Sequence, residues 1–426
     1  MANNSKLAIY GGSPIIKKKI KLYNSYSDPK NEIKAAIKVI KSGILSDFIG
    51  SKGDKQNGGK YVKKFEKNCA KYFNVRHAIT VNSWTSGLIA AIGAIGIEPG
   101  DEIITTPWTM CASASAILHW NAIPVFADIN PETFCIDPES IEKKISKYTK
   151  AIMTVDIFGQ SCDMNSICKI AKKFNLKIIC DSAQSPGAFY KKKYAGTLGD
   201  IGGFSLNYHK HIHTGEGGIL VTNSNNLANK MRLIRNHAEA IVTSNNKKKL
   251  VNMVGYNFRL GEIESAIGIE QLKKLKKQIK NRRNIAKEIN KGLKNLPGLN
   301  LPKLTANSTH VYYFYGMTLD LAKIKISRDK IFSALKAEGV PVVNKYQNIH
   351  LLPIYQNKIA YGSKGFPWKF FSKREIKYSR GTCPVAEMLN EKSFIGIPLC
   401  LYNPNVKDIN LIISSFKKVW NFFKIK

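Results

Sequence analysis

The chain has 426 residues, 44% of them hydrophobic, and a formal net charge of +36 from 66 Lys+Arg against 30 Asp+Glu. Length and apolar content suffice for a sizeable core and exclude global disorder. The charge asks either for an anionic partner or for a solvated coat. Fifty-seven of the basic residues are lysine and nine are arginine, and in a chain also rich in Ile and Asn that is what AT-rich codons produce without selection for binding. A non-catalytic basic nucleic-acid-binding protein is the reading that charge alone would support. Base readout and phosphate forks favour Arg, and no helix-turn-helix, finger or RNA-binding motif is present, so no nucleic-acid partner is expected.

The opening MANNSKLAIYGGSPIIKKKIKLY has no signal-like apolar run, and apolar stretches such as Leu88–Ile95 are too short to span a bilayer. A cytoplasmic protein without a membrane partner is expected. Residues 1–30 read as an N-terminal arm. From 31 to 260 strand and helix patterns alternate. Asn31–Lys41 and Val62–Phe73 have helical spacing. Ala78–Asn82, Glu102–Thr106, Pro124–Asp128, Ala151–Ile157, Lys177–Cys180 and Ile219–Thr222 are short apolar strands without clean alternation, as in strands buried on both faces. This predicts a large α/β domain with a mostly parallel sheet. From 261 to 426 the texture changes to a long helix over Gly261–Leu296 with one apolar stripe, a strand over His310–Leu319, a helix near Asp329–Glu338, and a last strand and helix within Phe394–Phe423. That is a smaller α+β domain. The eight cysteines are scattered with no CxxC pair and read as reduced core thiols.

Four segments of the first domain carry chemistry. Val81-Asn-Ser-Trp-Thr-Ser-Gly-Leu88 is a polar turn between strand and helix, either a phosphate site or an ordinary cap. Asp181 ends an apolar strand, at the edge where α/β proteins bind ligands, and either holds a heterocyclic nitrogen or caps the next turn. In Gly203-Phe-Ser-Leu-Asn-Tyr-His-Lys-His-Ile-His-Thr-Gly-Glu-Gly-Gly218 one lysine sits among three histidines. A crowded lysine with a lowered pKa is a good Schiff-base nucleophile. The alternative of a metal on His209, His211 and His213 lacks a carboxylate or thiolate other than Glu216, so no metal is expected. The fourth, Gly255-Tyr-Asn-Phe-Arg-Leu-Gly-Glu-Ile-Glu264, puts polar residues just before the long helix.

An Asp followed 29 residues later by a Lys, with Phe-Ser before it and Thr-Gly-Glu-Gly-Gly after it, resembles the DegT/StrS family of pyridoxal-phosphate-dependent sugar aminotransferases. Leu7–Pro14, Glu98–Glu102, Pro124–Asp128, Phe158–Gln160, Arg235–His237 and Cys383–Glu387 extend the likeness along the chain. The resemblance implies the PLP-dependent transferase fold of type I, built as in aspartate aminotransferase, and a homodimer with shared active sites. It implies Lys210 as catalytic lysine and covalent anchor of pyridoxal 5'-phosphate. Asp181 would take the pyridinium nitrogen, and Gln184 the phenolic oxygen. Ser205, Trp84 and Thr85 would take the phosphate, and Asn257 would reach the phosphate in the neighbouring subunit.

Two positions depart from the family pattern. Trp84 stands where a small residue is usual, and Met110 aligns where many members stack an aromatic ring on the cofactor, with Trp108 a rival for that place. One expectation is that Trp84 or Trp108 supplies the missing ring; the other is that both merely pack. The resemblance further implies amine transfer from glutamate or glutamine to a keto-sugar acceptor, whether nucleotide-linked sugar, acidic sugar or cyclitol ketone, in amino-sugar or surface-polysaccharide synthesis. Tyr346, His350 and Trp368 are candidate acceptor contacts. Relatives with His in place of the lysine are sugar dehydratases, and that remains the second reading.

Overall fold

The computed structural model describes residues 6–22, 29–239 and 254–425. Among the described residues, seven strands form the main sheet: β1 (His77–Val81), β2 (Glu102–Thr105), β3 (Ile123–Phe126), β4 (Thr149–Val155), β5 (Lys177–Asp181), and, beyond a small hairpin of β6 (Phe189–Tyr190) and β7 (Lys193–Tyr194), β8 (Ile201–Ser205) and β9 (Gly218–Thr222). Their order is β1-β9-β8-β5-β4-β2-β3. β3, β2, β4, β5 and β8 run parallel, and β9 is antiparallel to both of its neighbours. The expected mostly parallel α/β sheet is therefore the one found.

The helices of this part are α1 (Lys30–Ser42), α2 (Lys60–Phe73), α3 (Trp84–Ala94), α4 (Ala112–His119), α5 (Pro138–Lys144), α6 (Met164–Lys173) and α7 (Asn225–Arg235); α2, α3, α4, α6 and α7 pack directly on the sheet and cover its two faces. The spacing of Val62, Phe65, Cys69 and Phe73 puts all four on the buried side of α2. α3 is apolar almost all round, and nine of its eleven residues are buried between sheet and outer helices. Then comes α8 (Glu262–Leu293), 32 residues and about 48 Å long. Its first half packs Leu272, Leu275 and Ile279 with Phe65 and Phe204. Its second half gives Ile285, Ile289 and Leu293 to another core. Lys273, Lys276, Lys277, Lys280 and Lys287 are exposed along the other side, the solvated coat expected of this helix.

The second core lies on a three-stranded antiparallel sheet of β10 (Leu299–Asn300), β11 (Tyr315–Leu319) and β12 (Phe394–Ile397), with α9 (Arg328–Ala337) against it. Short helices α10 (Pro353–Gln356), α11 (Trp368–Phe371) and α12 (Pro384–Met388) follow α9, and α13 (Val406–Phe422) closes the chain. Leu7, Ile16 and Ile20 of the N-terminal arm are buried in this core, and Glu338 accepts from the amides of Ala8 and Ile15 at 2.8 and 3.0 Å. Tyr355, Trp368, Tyr378 and Cys383 pack instead with Ile104 and Phe126 of the large sheet and with Trp108 from the segment after β2. His310–Phe314, expected to begin a strand, is irregular; Val311 and Phe314 donate to the carbonyls of Gly159 and Phe158, so that backbone serves the large domain before β11 begins. All eight cysteines are unpaired.

Candidate active site

The sheet register fixes the site. Val155, Asp181 and Gly203 stand level on β4, β5 and β8, and Ser205 pairs with Gly218. Asp181 and Ser205 thus end neighbouring strands at the carboxyl edge, where parallel strands leave a crevice. The glycines that hide β8 from a propensity reading are required there. A side chain at Gly203 would meet the Ile219 carbonyl at 2.1 Å and the Trp84 ring at 2.3 Å. α3 starts at the same edge, and its Ser83 cap accepts from the Ser86 amide at 3.0 Å.

These elements enclose a cavity of about 220 Å³ lined by Trp84, Thr85, Met110, Asp181, Gln184, Ser205 and Lys210, together with Thr109, Ser113, Asn207, His209 and Glu216. Seven residues singled out in the sequence therefore meet in one place. Lys210 is 7% exposed. Burial lowers its amine to about 8, against the opposing pull of Cys400 and Asp181. The amine donates to the Tyr313 hydroxyl at 3.2 Å and lies over that ring. The flanking imidazoles are not the cause. Burial, and then the charge of Lys210, lowers His209 to about 4, and burial holds His211 well below the ordinary imidazole value, so both are neutral at pH 7. Among the described residues no group of three or more His, Cys, Asp or Glu is placed to hold a metal ion.

Burial raises the Asp181 carboxyl, while hydrogen bonds from Ser113, Trp84 and the Ala183 amide, and the charge of Lys210, oppose it. Gln184 accepts from the Phe158 amide at 2.8 Å and donates to Tyr346 at 3.0 Å; Tyr346 is half-buried and does not itself line the cavity. Met110 stands at the mouth, 61% exposed. Asn257 is exposed and lies outside the cavity; its carbonyl accepts from Asn82 at 3.3 Å.

Two expectations are corrected, and one open alternative is decided. His350 is fully buried, its Nε2 3.0 Å from Glu387, so no surface remains for an acceptor. Trp368 is buried too and donates to Tyr378 at 2.8 Å. Trp108 does not line the cavity. It is fully buried, stacked on Phe134 and Tyr346 and edge-on to Phe394, which makes it a packing residue. Ser113 and Tyr313 escaped the sequence reading because they meet their partners across 68 and 103 residues. The sequence signals were a serine in the first turn of α4 and a run of tyrosines leading into β11.

A doubly covered, mostly parallel sheet with a buried lysine and a carboxylate at its carboxyl edge is the framework of an aminotransferase. The family model described as the DegT/DnrJ/EryC1/StrS aminotransferase family matches residues 46–371. The spore coat polysaccharide biosynthesis protein SpsC of Bacillus subtilis (strain 168) is 34% identical over 345 residues, 79% of this chain and 86% of that protein. The GDP-perosamine synthase of Caulobacter vibrioides is 36% identical over 298 residues, 70% and 79% of the two chains. The structure of Helicobacter pylori PseC, an aminotransferase involved in the biosynthesis of pseudoaminic acid, superposes with a TM-score of 0.76 at 28% identity, over 95% of this chain and all of that one. The chain belongs to the DegT/DnrJ/EryC1/StrS aminotransferase family. It is a transaminase. Among the described residues no helix is long and apolar enough to cross a membrane.

Proposed function

We propose that the cavity holds pyridoxal 5'-phosphate and that the chain uses it to move an amino group from glutamate or glutamine to a keto-sugar. The donor set fits that group. The first amides of α3, with the hydroxyls of Thr85 and Ser205, suit a phosphate. Asp181 suits a protonated ring nitrogen, and Lys210 suits the aldehyde. The observation that carries the reading is Lys210 itself: a buried amine lowered to about 8 by desolvation, which is neutral often enough near pH 7 to be a nucleophile and base.

Bound there, the cofactor would supply an electron sink for the carbon that loses its proton. The chain supplies the rest. Lys210 takes the α-proton of the amino donor and, in the second half-reaction, returns a proton to the sugar carbon that receives nitrogen. Asp181, held by three donors, keeps negative charge fixed beneath the site. Gln184, held by the Phe158 amide and Tyr346, would take the cofactor's phenolic oxygen, and Tyr346 behind it is our candidate contact for the sugar, with Met110 at the entrance. In our reading the enzyme is a homodimer in which Asn257 completes the neighbouring phosphate site, and its setting is cytoplasmic.

Amine transfer is tested by supplying glutamate or glutamine with nucleotide-linked keto-sugars, acidic keto-sugars and cyclitol ketones, and following the oxo-acid product. One acceptor class should give stoichiometric oxo-acid and amino-sugar. A deoxygenated sugar with no nitrogen transferred would establish the dehydratase reading instead.

A further inference from the structure

Trp84 was singled out in the sequence, and its place in the fold gives it a specific partner. It opens α3, so its side chain leans back over the start of the helix toward the sheet. The indole lies on a floor of backbone. Added side-chain carbons at Gly203 and Gly87 would fall 2.3 and 2.8 Å from the indole, and one at Gly218 would fall 2.9 Å from the Trp84 backbone. Two glycines on different elements therefore make room for the ring, and a third for the backbone that carries it. The ring is 6% exposed, and its N–H is aimed at Oδ1 of Asp181, 2.7 Å away. The Ala183 amide shares that oxygen at 3.2 Å, and the Ser113 hydroxyl takes Oδ2 at 2.8 Å. With its N–H committed to Asp181, the indole has no donor left for a phosphate; only the backbone amide of Trp84 remains for that task.

We infer that Trp84 is a positioning residue: it clamps the Asp181 carboxylate, ionised and correctly turned, for the ring nitrogen of the cofactor. The inference rests on the pyridoxal-phosphate reading above and adds how this chain holds the carboxylate. Charge-assisted hydrogen bonds to a buried carboxylate favour its ionised form. The titratable groups facing Asp181 are Lys210 from the loop after β8, Asp156 at the end of β4, and Tyr346. Lys210 favours the carboxylate and Asp156 disfavours it, so without the indole the balance shifts toward a neutral acid.

The test uses the full chain freed of cofactor, titrated with pyridoxal 5'-phosphate from pH 5 to 9 by visible absorbance. Trp84→Phe keeps a ring on the glycine floor and removes the donor. At pH 7 its affinity should fall about tenfold or more, the size expected for one hydrogen bond to a charged group. The acid limb of binding should also move to higher pH. A second measurement needs no Trp84 variant. In the wild-type chain the indole ¹H–¹⁵N resonance of Trp84 should titrate with Asp181, and Asp181→Asn should abolish that titration. A Trp84→Phe protein with wild-type affinity and an unmoved acid limb, or an indole signal indifferent to Asp181, overturns the inference. Failure of the wild-type chain to bind the cofactor at all is a different outcome and overturns the functional reading beneath it.

Discussion

Lys210 and Arg235 are both buried cations, and their surroundings differ in one respect. Arg235, at the end of α7, is fully buried with its guanidinium 2.5 Å from Glu66 of α2. Glu66 also accepts from the amide and hydroxyl of Thr80 on β1, at 2.9 and 3.0 Å. The pair ties α2, β1 and α7 together. Lys210 has a tyrosine hydroxyl in contact rather than a carboxylate; Asp181 acts on it only through space. A buried cation given a carboxylate becomes structure. One denied that contact keeps its desolvation penalty and becomes a reactive amine.

Perturbing the two sites separates these roles. The largest expected effect is on chemistry: Lys210→Ala should lower amine transfer by about 10³-fold or more, the general base and the anchor going together, while the folded content stays intact by circular dichroism. Next, Arg235→Met should cost about 3–5 kcal/mol in denaturant unfolding, because Glu66 is left buried without its partner. The smallest effect reverses the sign. Lys210→Met should stabilise the cofactor-free protein by up to about 3 kcal/mol at pH 7. The folded amine sits near 8 and the unfolded one near its ordinary 10.5. The penalty in the native chain is therefore full below pH 8 and disappears as pH rises to 10.5. The variant's advantage should follow, and equal unfolding midpoints at pH 7 would contradict the buried-amine account.

Both cations fall in segments that resemble the same family, Arg235–His237 and Gly203–Gly218, so the sequence marked each as noteworthy without telling scaffold from chemistry. Their roles depend on Glu66, Thr80 and Tyr313, which are distant in the chain. Other family-like segments turn out to support each other: Asp128 accepts from the amides of Val385 and Ala386 at 2.7 and 3.0 Å. The sheet and long helices were legible because burial on both faces and helical spacing leave continuous patterns. β8 was not, since its glycines answer to Trp84 and to the neighbouring strand. His350 read as a contact because polarity alone does not reveal burial; Glu387, 37 residues away, takes its nitrogen.

The most direct test of Lys210 as the reactive amine is reductive trapping. The full chain is loaded with pyridoxal 5'-phosphate, reduced with borohydride, digested and mapped by mass spectrometry. With 57 lysines in the chain, most of them on the surface, the account predicts one stoichiometric adduct, on the peptide carrying Lys210. Label concentrated on another lysine, or spread over the exposed ones with Lys210 unmodified, would contradict it.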